Sequence, residues 1–377
     1  MPMLSRRFLV NAAGAAVVVL VLLLAGRLSG LTDRHGPGGG AAAPAPARGD
    51  APATPRLAVI ATIPFSESIT AISADPTSVW VAACTVTRVD PRNDEPVANV
   101  VGTGSSAGTT CVEDVAIGPG VVWGSVPGIG LVRIDPAAAQ VAAQVPLPQL
   151  LPPIAVSATG VWAVCCQTAP RPLTAGTLIR VDPATNHVAA RIRLPGQPVG
   201  VAAGPSGVWV VGSDPTGAGR VWRVDPSSGR LVATIDTGSR LGQSVAADGA
   251  AVWVDAQPQT GQKGQASRDN PAELLRIDPG SDQVVATYPG ATGLGVATIG
   301  GTTWTTAPDG LLRLAATTAT RAGGGASAGS GTLYPVALDS DAPLAISDLA
   351  ASQQSLWIAT WSGVEGGPGL LRVRLPA

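Results

Sequence analysis

The residues able to do acid–base, metal or redox chemistry are few and scattered. The 377-residue chain has two histidines, His35 and His187, four cysteines, Cys84, Cys111, Cys165 and Cys166, and 25 carboxylates. Histidine is the usual general base near neutral pH. Neither histidine belongs to a Ser–His–Asp arrangement or a paired Cys/His motif, and no Gly-rich loop stands between a strand and a helix to cradle a phosphate. What is left is carboxylate chemistry. Glu67, Glu113 and Asp114, with Arg240, Gln243 and Gln257, are predicted to converge on one face of the molecule. Two or three of those acids within reach of one another would bind a divalent cation, because hard cations prefer clustered oxygens. No other cofactor is predicted. Trp361, outside the regular pattern, is a candidate stacking surface.

That convergence depends on a repeat. Residues 207–226, GVWVVGSDPTGAGRVWRVDP, hold a Trp-bearing apolar run, a Gly-rich loop and a second run ending in Arg-Val-Asp-Pro. The unit recurs around Trp80, Trp123, Trp162, Trp209, Trp253, Trp304 and Trp357, at spacings of 43, 39, 47, 44, 51 and 53 residues. Such a period, with several short strands per unit, predicts an all-β, seven-bladed β-propeller over residues 56–377. Each blade is predicted to have a short inner strand of small residues (199–203), a second strand with the Trp, a third ending at Asp-Pro, and a β-branched outer strand (231–235). The apolar runs do not alternate with polar residues, as expected of sheets covered on both faces.

In a propeller, the connections into each inner strand and those between the second and third strands share the face that holds the channel mouth. Glu67, Glu113, Asp114, Arg240 and Gln243 stand at inner-strand starts on that face. Four residues after each repeat Trp come Cys84, Pro127, Cys166, Ser213, Gln257, Pro308 and Trp361, which reach the same face. The long insertions, 167–177, 256–271 and 360–369, also fall there, which makes this face the predicted binding surface. Solvated loops also lengthen without function, so insertion length alone assigns nothing.

The opposite face carries Asp90-Pro91, Asp135-Pro136, Asp182-Pro183, Asp225-Pro226 and Asp278-Pro279. These read as turns, in which proline fixes φ and the Asp side chain accepts backbone N–H groups. Asp94, Ala139, Asn186, Gly229 and Asp282 follow four residues later, where the chain must turn back through a left-handed residue. The arginine two before each Asp (Arg88, Arg133, Arg180, Arg223, Arg276) is expected to pack its stem and keep its head in water. The Gly-rich run 323–331 reads as an insertion or linker of blade six.

Residues 57–64, LAVIATIP, resemble an outer strand with no blade of its own, and the last copy ends without one. The ring is therefore predicted to close by pairing this N-terminal strand with residues 370–375, which removes exposed edges. Ahead of it, residues 8–26 are 19 uncharged residues behind Arg6-Arg7. At ~1.5 Å per residue they span the ~30 Å hydrocarbon core. The expectation is one membrane-spanning signal anchor in residues 1–27, with the propeller outside the cytoplasm. Cleavage of a twin-arginine-like signal and secretion is the alternative. Residues 28–55, rich in Gly, Ala and Pro, read as a flexible linker. Residues 56–377 carry 19 basic against 23 acidic side chains with no basic stripe, which argues against a nucleic-acid partner. Exported chains form disulfides by default. Cys84 and Cys111 fall on the mouth face of adjoining blades and suit one another. Cys165 and Cys166 are then left as a vicinal disulfide or as thiols, unless Cys111 pairs with blade three.

The pattern V-W-V…V-x-R-(I/V)-D-P-x-(T/S)-(N/G)-x-V-V-A-x-I resembles the YVTN-type and virginiamycin B lyase-like seven-bladed propellers. For the lyase-like group the resemblance implies histidine and glutamate near the channel with a divalent metal. His35 lies in the linker and His187 at the rim on the turn side, so this chain departs from that pattern. The leading expectation is a binding or scaffolding module with a protein or small-molecule partner. A metal-dependent lyase-like enzyme at the channel mouth is the alternative.

Overall fold

Apolar runs that neighbours can cover on both sides become the second strands of the blades. In the computed structural model Val79–Ala83, Val121–Val126 and Gly160–Cys165 are buried at every residue. Outer strands such as Gln140–Pro146 instead alternate between exposed and partly buried residues. That is the pattern of a strand with one side to solvent. The structure describes residues 56–100, 111–165, 175–238, 240–258, 272–291, 295–307, 310–315, 327–336, 344–352, 355–364 and 366–376. The predicted span at 8–26 and the linker at 28–55 lie outside them. Among the described residues no helix is long and apolar enough to cross a membrane.

Seven sheets follow the seven repeats, and the first six run in chain order from inner to outer strand. Blade one is Ala71–Ala74, Val79–Ala83, Thr85–Asp90 and Glu95–Val100. Blade seven is Ala345–Ser352, Ser355–Val364 and Gly367–Arg374, and its fourth strand is the N-terminal Ala58–Pro64. Ala58 pairs with Arg374 and Pro64 with Gly369, and Leu57 bridges to Val336 of blade six. The predicted closure is therefore the observed one.

The core is a series of seams between blades. The repeat tryptophans are all buried, and each meets the apolar face of a neighbouring blade. Trp209 and Val211 of blade four pack on Val252, Val254 and Ala256 of blade five. Truncating such a residue to Ala costs roughly 3–5 kcal/mol.

The Asp-Pro turns behave as predicted. Asp94, Ala139, Asn186, Gly229 and Asp282 all have positive φ, from 51° to 68°. A register shift follows in each third-to-outer pairing, as between Arg223 and Val224. The arginines differ from expectation. Arg88, Arg180, Arg223, Arg276 and Arg372 lie over the Trp of their own blade, 5.2–5.9 Å from the ring centroid. Four of them reach the next blade and donate to its proline carbonyl: Arg88 to Pro136, Arg180 to Pro226, Arg223 to Pro279 and Arg372 to Pro91. Arg223 and Arg372 add ion pairs with the left-handed residues Asp282 and Asp94, at 2.9 and 2.8 Å. Ring packing fixes the guanidinium, so its donors serve the seam instead of water.

Of the run 323–331, residues 323–326 lie outside the described residues, and residues 327–331 are more than an insertion. Ser327–Ala328 adds a fifth, parallel strand to blade five beside Gln283–Pro289, and Gly331–Tyr334 is the outer strand of blade six. Gly329 permits the crossing, because a Cβ there would lie 2.3 Å from the Tyr288 ring.

Candidate functional site

The inner strands place carboxylates at the channel. Asp114 opens the blade-two inner strand Asp114–Gly118, and Asp348 lies within Ala345–Ser352 of blade seven. Both stand nine residues before their repeat Trp, where the other blades carry Ala71, Pro153, Gly200, Ser244 and Gly295. Each carboxylate accepts two backbone N–H groups, its own successor's and one from the next blade. Asp114 takes Val115 at 2.8 Å and Ile154 of blade three at 2.8 Å. Asp348 takes Leu349 at 2.7 Å and Ile72 of blade one at 2.8 Å. At Gly295 a Cβ would come within 2.5 Å of Leu349 N, so blade six has no room for the equivalent acid.

Both acids keep partial exposure to the channel yet are surrounded by protein. Burial is the dominant influence and pushes each carboxyl up to about 7, against the pull of the backbone bonds. The charge on Asp348 raises Asp114 further, from the other side of blade one. Asp255, in Val252–Pro258 of blade five, is also pushed up to about 7 by burial.

The sequence-predicted residues fall as follows. Glu113 directly precedes Asp114, donates its N–H to Ser125 O, and has its carboxyl raised by burial. Glu67 is exposed, in the segment between the closing strand and blade one. Arg240 and Gln243 lie in the blade-five inner strand Arg240–Ala247. Gln257 turns inward and donates to Asp255 Oδ1 at 2.9 Å. Trp361 stands on the blade-seven hairpin with half its surface exposed, 50%, and is the exposed aromatic among the described residues. The expected loop over 360–369 is a continuation of that hairpin, with Thr360 paired to Gly369 and Val364 to Gly367. Among the described residues no group of three His, Cys, Asp or Glu is arranged to hold a metal ion. His187 is exposed at the start of the outer strand His187–Leu194, against Asp182 of the turn.

Two further devices shape this face. A disulfide joins Cys84, at the tip of the blade-one hairpin, to Cys111 at the start of blade two, and Val112 N donates to Cys84 O. The pairing is the one expected. Cys165 is disulfide-bonded as well, and Cys166 lies outside the described residues. In blade four, Arg220 pairs with both Asp214 and Asp236, each at 2.9 Å. Asp214 caps its loop by accepting the N–H groups of Thr216 and Ala218.

Sequence reasoning found Asp114 but missed Asp348 and Asp255. For Asp348 the signal was present, as its distance from Trp357 matches that of Asp114 from Trp123.

No family model matches the chain, and no curated protein matches it. Solved structures do. A chain of the crystal structure of a mitotic checkpoint complex is similar over 93% of this chain and 100% of its own, at 12% identity and a TM-score of 0.61. Kuenenia stuttgartiensis hydrazine synthase is similar over 82% and 96%, at 14% identity and 0.62, and U3-55K over 85% and 100%, at 12% identity and 0.60. At such identities the likeness concerns the fold alone.

Proposed function

We propose that this chain is an extracytoplasmic, membrane-tethered binding or scaffolding propeller whose partner docks on the channel-mouth face. The observation that carries the reading is Trp361, a half-exposed aromatic on the blade-seven hairpin at that face, between the Thr360–Gly369 and Val364–Gly367 pairs. Exposed aromatics on ordered elements are the usual anchors of binding hot spots. The Cys84–Cys111 disulfide supports export, since such bonds persist in oxidising compartments. The apolar run at 8–26 behind two arginines supports the tether, and the repeat's resemblance to YVTN-type and virginiamycin B lyase-like propellers is consistent with both. Binding is favoured over catalysis because Asp114 and Asp348 spend their oxygens on backbone N–H groups.

The test is site-specific photocrosslinking in envelopes of the native host, with the probe at position 361 or at position 228 on the turn face. Adducts concentrated at 361 support the reading, and adducts equal at both positions or confined to 228 overturn it. Alkaline carbonate should leave the chain in the membrane pellet, and release into the supernatant would refute the tether. A melting temperature raised by Mg2+, Ca2+, Mn2+ or Zn2+ and restored by chelation would favour the metal-dependent alternative.

A further inference from the structure

Arg133 of blade two holds the position of the seam arginines but does not act as one. It neither lies over its Trp nor donates to the next blade's proline carbonyl, and among the described residues it has no hydrogen bond or ion pair. Asp135 of its own turn feels its charge, yet Asp135 Oδ1 accepts from Ala137 and Ala138. Two substitutions account for the difference. The position two before the repeat Trp faces the arginine stem. A Cβ at Gly160 would lie 3.0 Å from Arg180 Cγ, and one at Gly207 3.5 Å from Arg223 Cγ. Blade two has the buried, β-branched Val121 there, where the stem would fold. In blade three the left-handed residue is Asn186, neutral where Asp94 and Asp282 take an ion pair, and its Oδ1 is buried without a partner.

Register places this free guanidinium beside two others. Arg133 pairs with Trp123, so it stands on the face of blade two that packs on Val161, Ile179 and Val181 of blade three. From blade three, Arg191 pairs with Ile179 and Arg193 with Thr177. Directly opposed residues share a face of the sheet, so Arg191 and Arg193 turn toward blade two. Both are exposed, and among the described residues neither has a hydrogen bond or ion pair. Three uncompensated arginines therefore border the rim of one seam, in a domain where acids outnumber bases by 23 to 19.

The strand that carries two of them is an open edge. His187–Leu194 is the last strand of its sheet and, at eight residues, the longest outer strand. Blade five shows that an outer edge of this ring accepts another strand, since Ser327–Ala328 pairs in parallel with Gln283–Pro289. Charges on an edge can serve only to repel unwanted strands. The outer strands of the other six blades carry no basic residue, so this ring does not protect its edges with cations. Arg191 and Arg193, two positions apart, stand about 6.6 Å apart along the strand. Alternate side chains of any extended peptide have the same spacing, and a guanidinium binds a carboxylate in bidentate fashion.

We propose that the outer edge of blade three docks an extended acidic segment of a partner protein, added as a further strand beside His187–Leu194, with carboxylates at alternate positions on Arg191 and Arg193 and another on Arg133. This surface lies on the rim and does not depend on Trp361 or the channel mouth.

The test is fluorescence anisotropy of three labelled peptides with the full chain: TEVEVEVT, its neutral counterpart TQVQVQVT, and EEETTVVV, which has the same composition without alternation. TEVEVEVT should bind and slow amide hydrogen exchange in residues 187–194. The other two should bind at least tenfold more weakly. The double variant Arg191→Gln/Arg193→Gln changes two exposed side chains, so it should melt like the wild type and bind TEVEVEVT at least tenfold more weakly. Arg133→Gln should weaken binding at least threefold. The proposal is overturned by absence of TEVEVEVT binding at millimolar concentration, by equal binding of TQVQVQVT, or by equal binding of EEETTVVV, which would mark a general polyanion surface. Unchanged exchange in 187–194, or a double variant that binds like the wild type, overturns it as well.

Discussion

Asp348 and Asp225 perform the same local task in two regions of this molecule and are driven in opposite directions by it. Each accepts backbone N–H groups: Asp348 those of Leu349 and Ile72, Asp225 those of Ser227 and Ser228 together with their hydroxyls. Asp225 lies on a surface turn beside the exposed Ser227 and Ser228, and the hydrogen bonds, led by the Ser227 hydroxyl, hold its carboxyl well below the usual range. Asp90 is held at about 2, chiefly by Arg92. At Asp348 burial outweighs equally short bonds and raises the carboxyl to about 7. Hydrogen-bond geometry is therefore not what separates the two regions. The solvent around the acceptor decides the sign.

The largest consequence concerns removal of the acceptor. Asp348→Ala leaves the N–H groups of Ile72 and Leu349 without a partner at the seam where the ring closes. Buried donors so orphaned cost about 1–3 kcal/mol each, partly offset by relief of the buried charge, so a net loss of about 2 kcal/mol is expected in urea denaturation at pH 7. Asp225→Ala should lose less, because water replaces the carboxylate at an exposed turn. An equal or larger loss at Asp225 would break the comparison.

The second consequence is a difference in pH dependence. Burial holds the Asp114 and Asp348 carboxyls at about 7 in the folded chain, well above the ordinary carboxylate value of 3.8 that they regain on unfolding. The folded chain thus retains protons that the unfolded chain has released. Their stabilisation is complete below about pH 4 and is lost as pH rises through 7. Asp255 acts in the same direction. The turn acids work the other way: Asp90 contributes above its unfolded value and loses that contribution as pH falls toward 2. Urea midpoints should therefore fall between pH 4.5 and 7.5, and Asp348→Asn should flatten that limb. Asp225→Asn should alter only the acid limb below pH 4. A wild-type midpoint that rises from pH 4.5 to 7.5 would contradict the assignment of the inner acids.

What could be read in advance follows the same division. The turns are local: Asp-Pro with a left-handed residue four positions on is written in five consecutive residues, and all five copies adopt it. The closing strand was legible because 57–64 matches an outer strand in composition. Asp114 could be placed at the channel, but its bond to Ile154 could not, since that partner is set by the rotation between blades. The arginines show the same limit. Their spacing from Asp was plain, whereas the proline carbonyl each one reaches lies about one repeat away. Ser327–Ala328 lies in a Gly/Ser/Ala run with no side-chain pattern, and only backbone pairing with blade five defines it.

The smallest effect tests whether the turn face is governed by backbone conformation more than by charge. Ala139 holds φ 51°, where Gly229 holds 68° in the equivalent turn of blade four. A left-handed non-glycine residue costs roughly 1–2 kcal/mol, while glycine adds unfolded-state entropy worth roughly 0.5–1 kcal/mol. Ala139→Gly should thus stabilise the propeller by about 0.5 kcal/mol. Gly229→Ala should destabilise it by about 1 kcal/mol, because alanine would be strained at φ 68°. Neither change touches a titrating group, so both differences should be the same at pH 5 and pH 8. If either varied with pH, the turn face would share the electrostatic control seen at the inner strands, and burial alone would no longer separate the two regions.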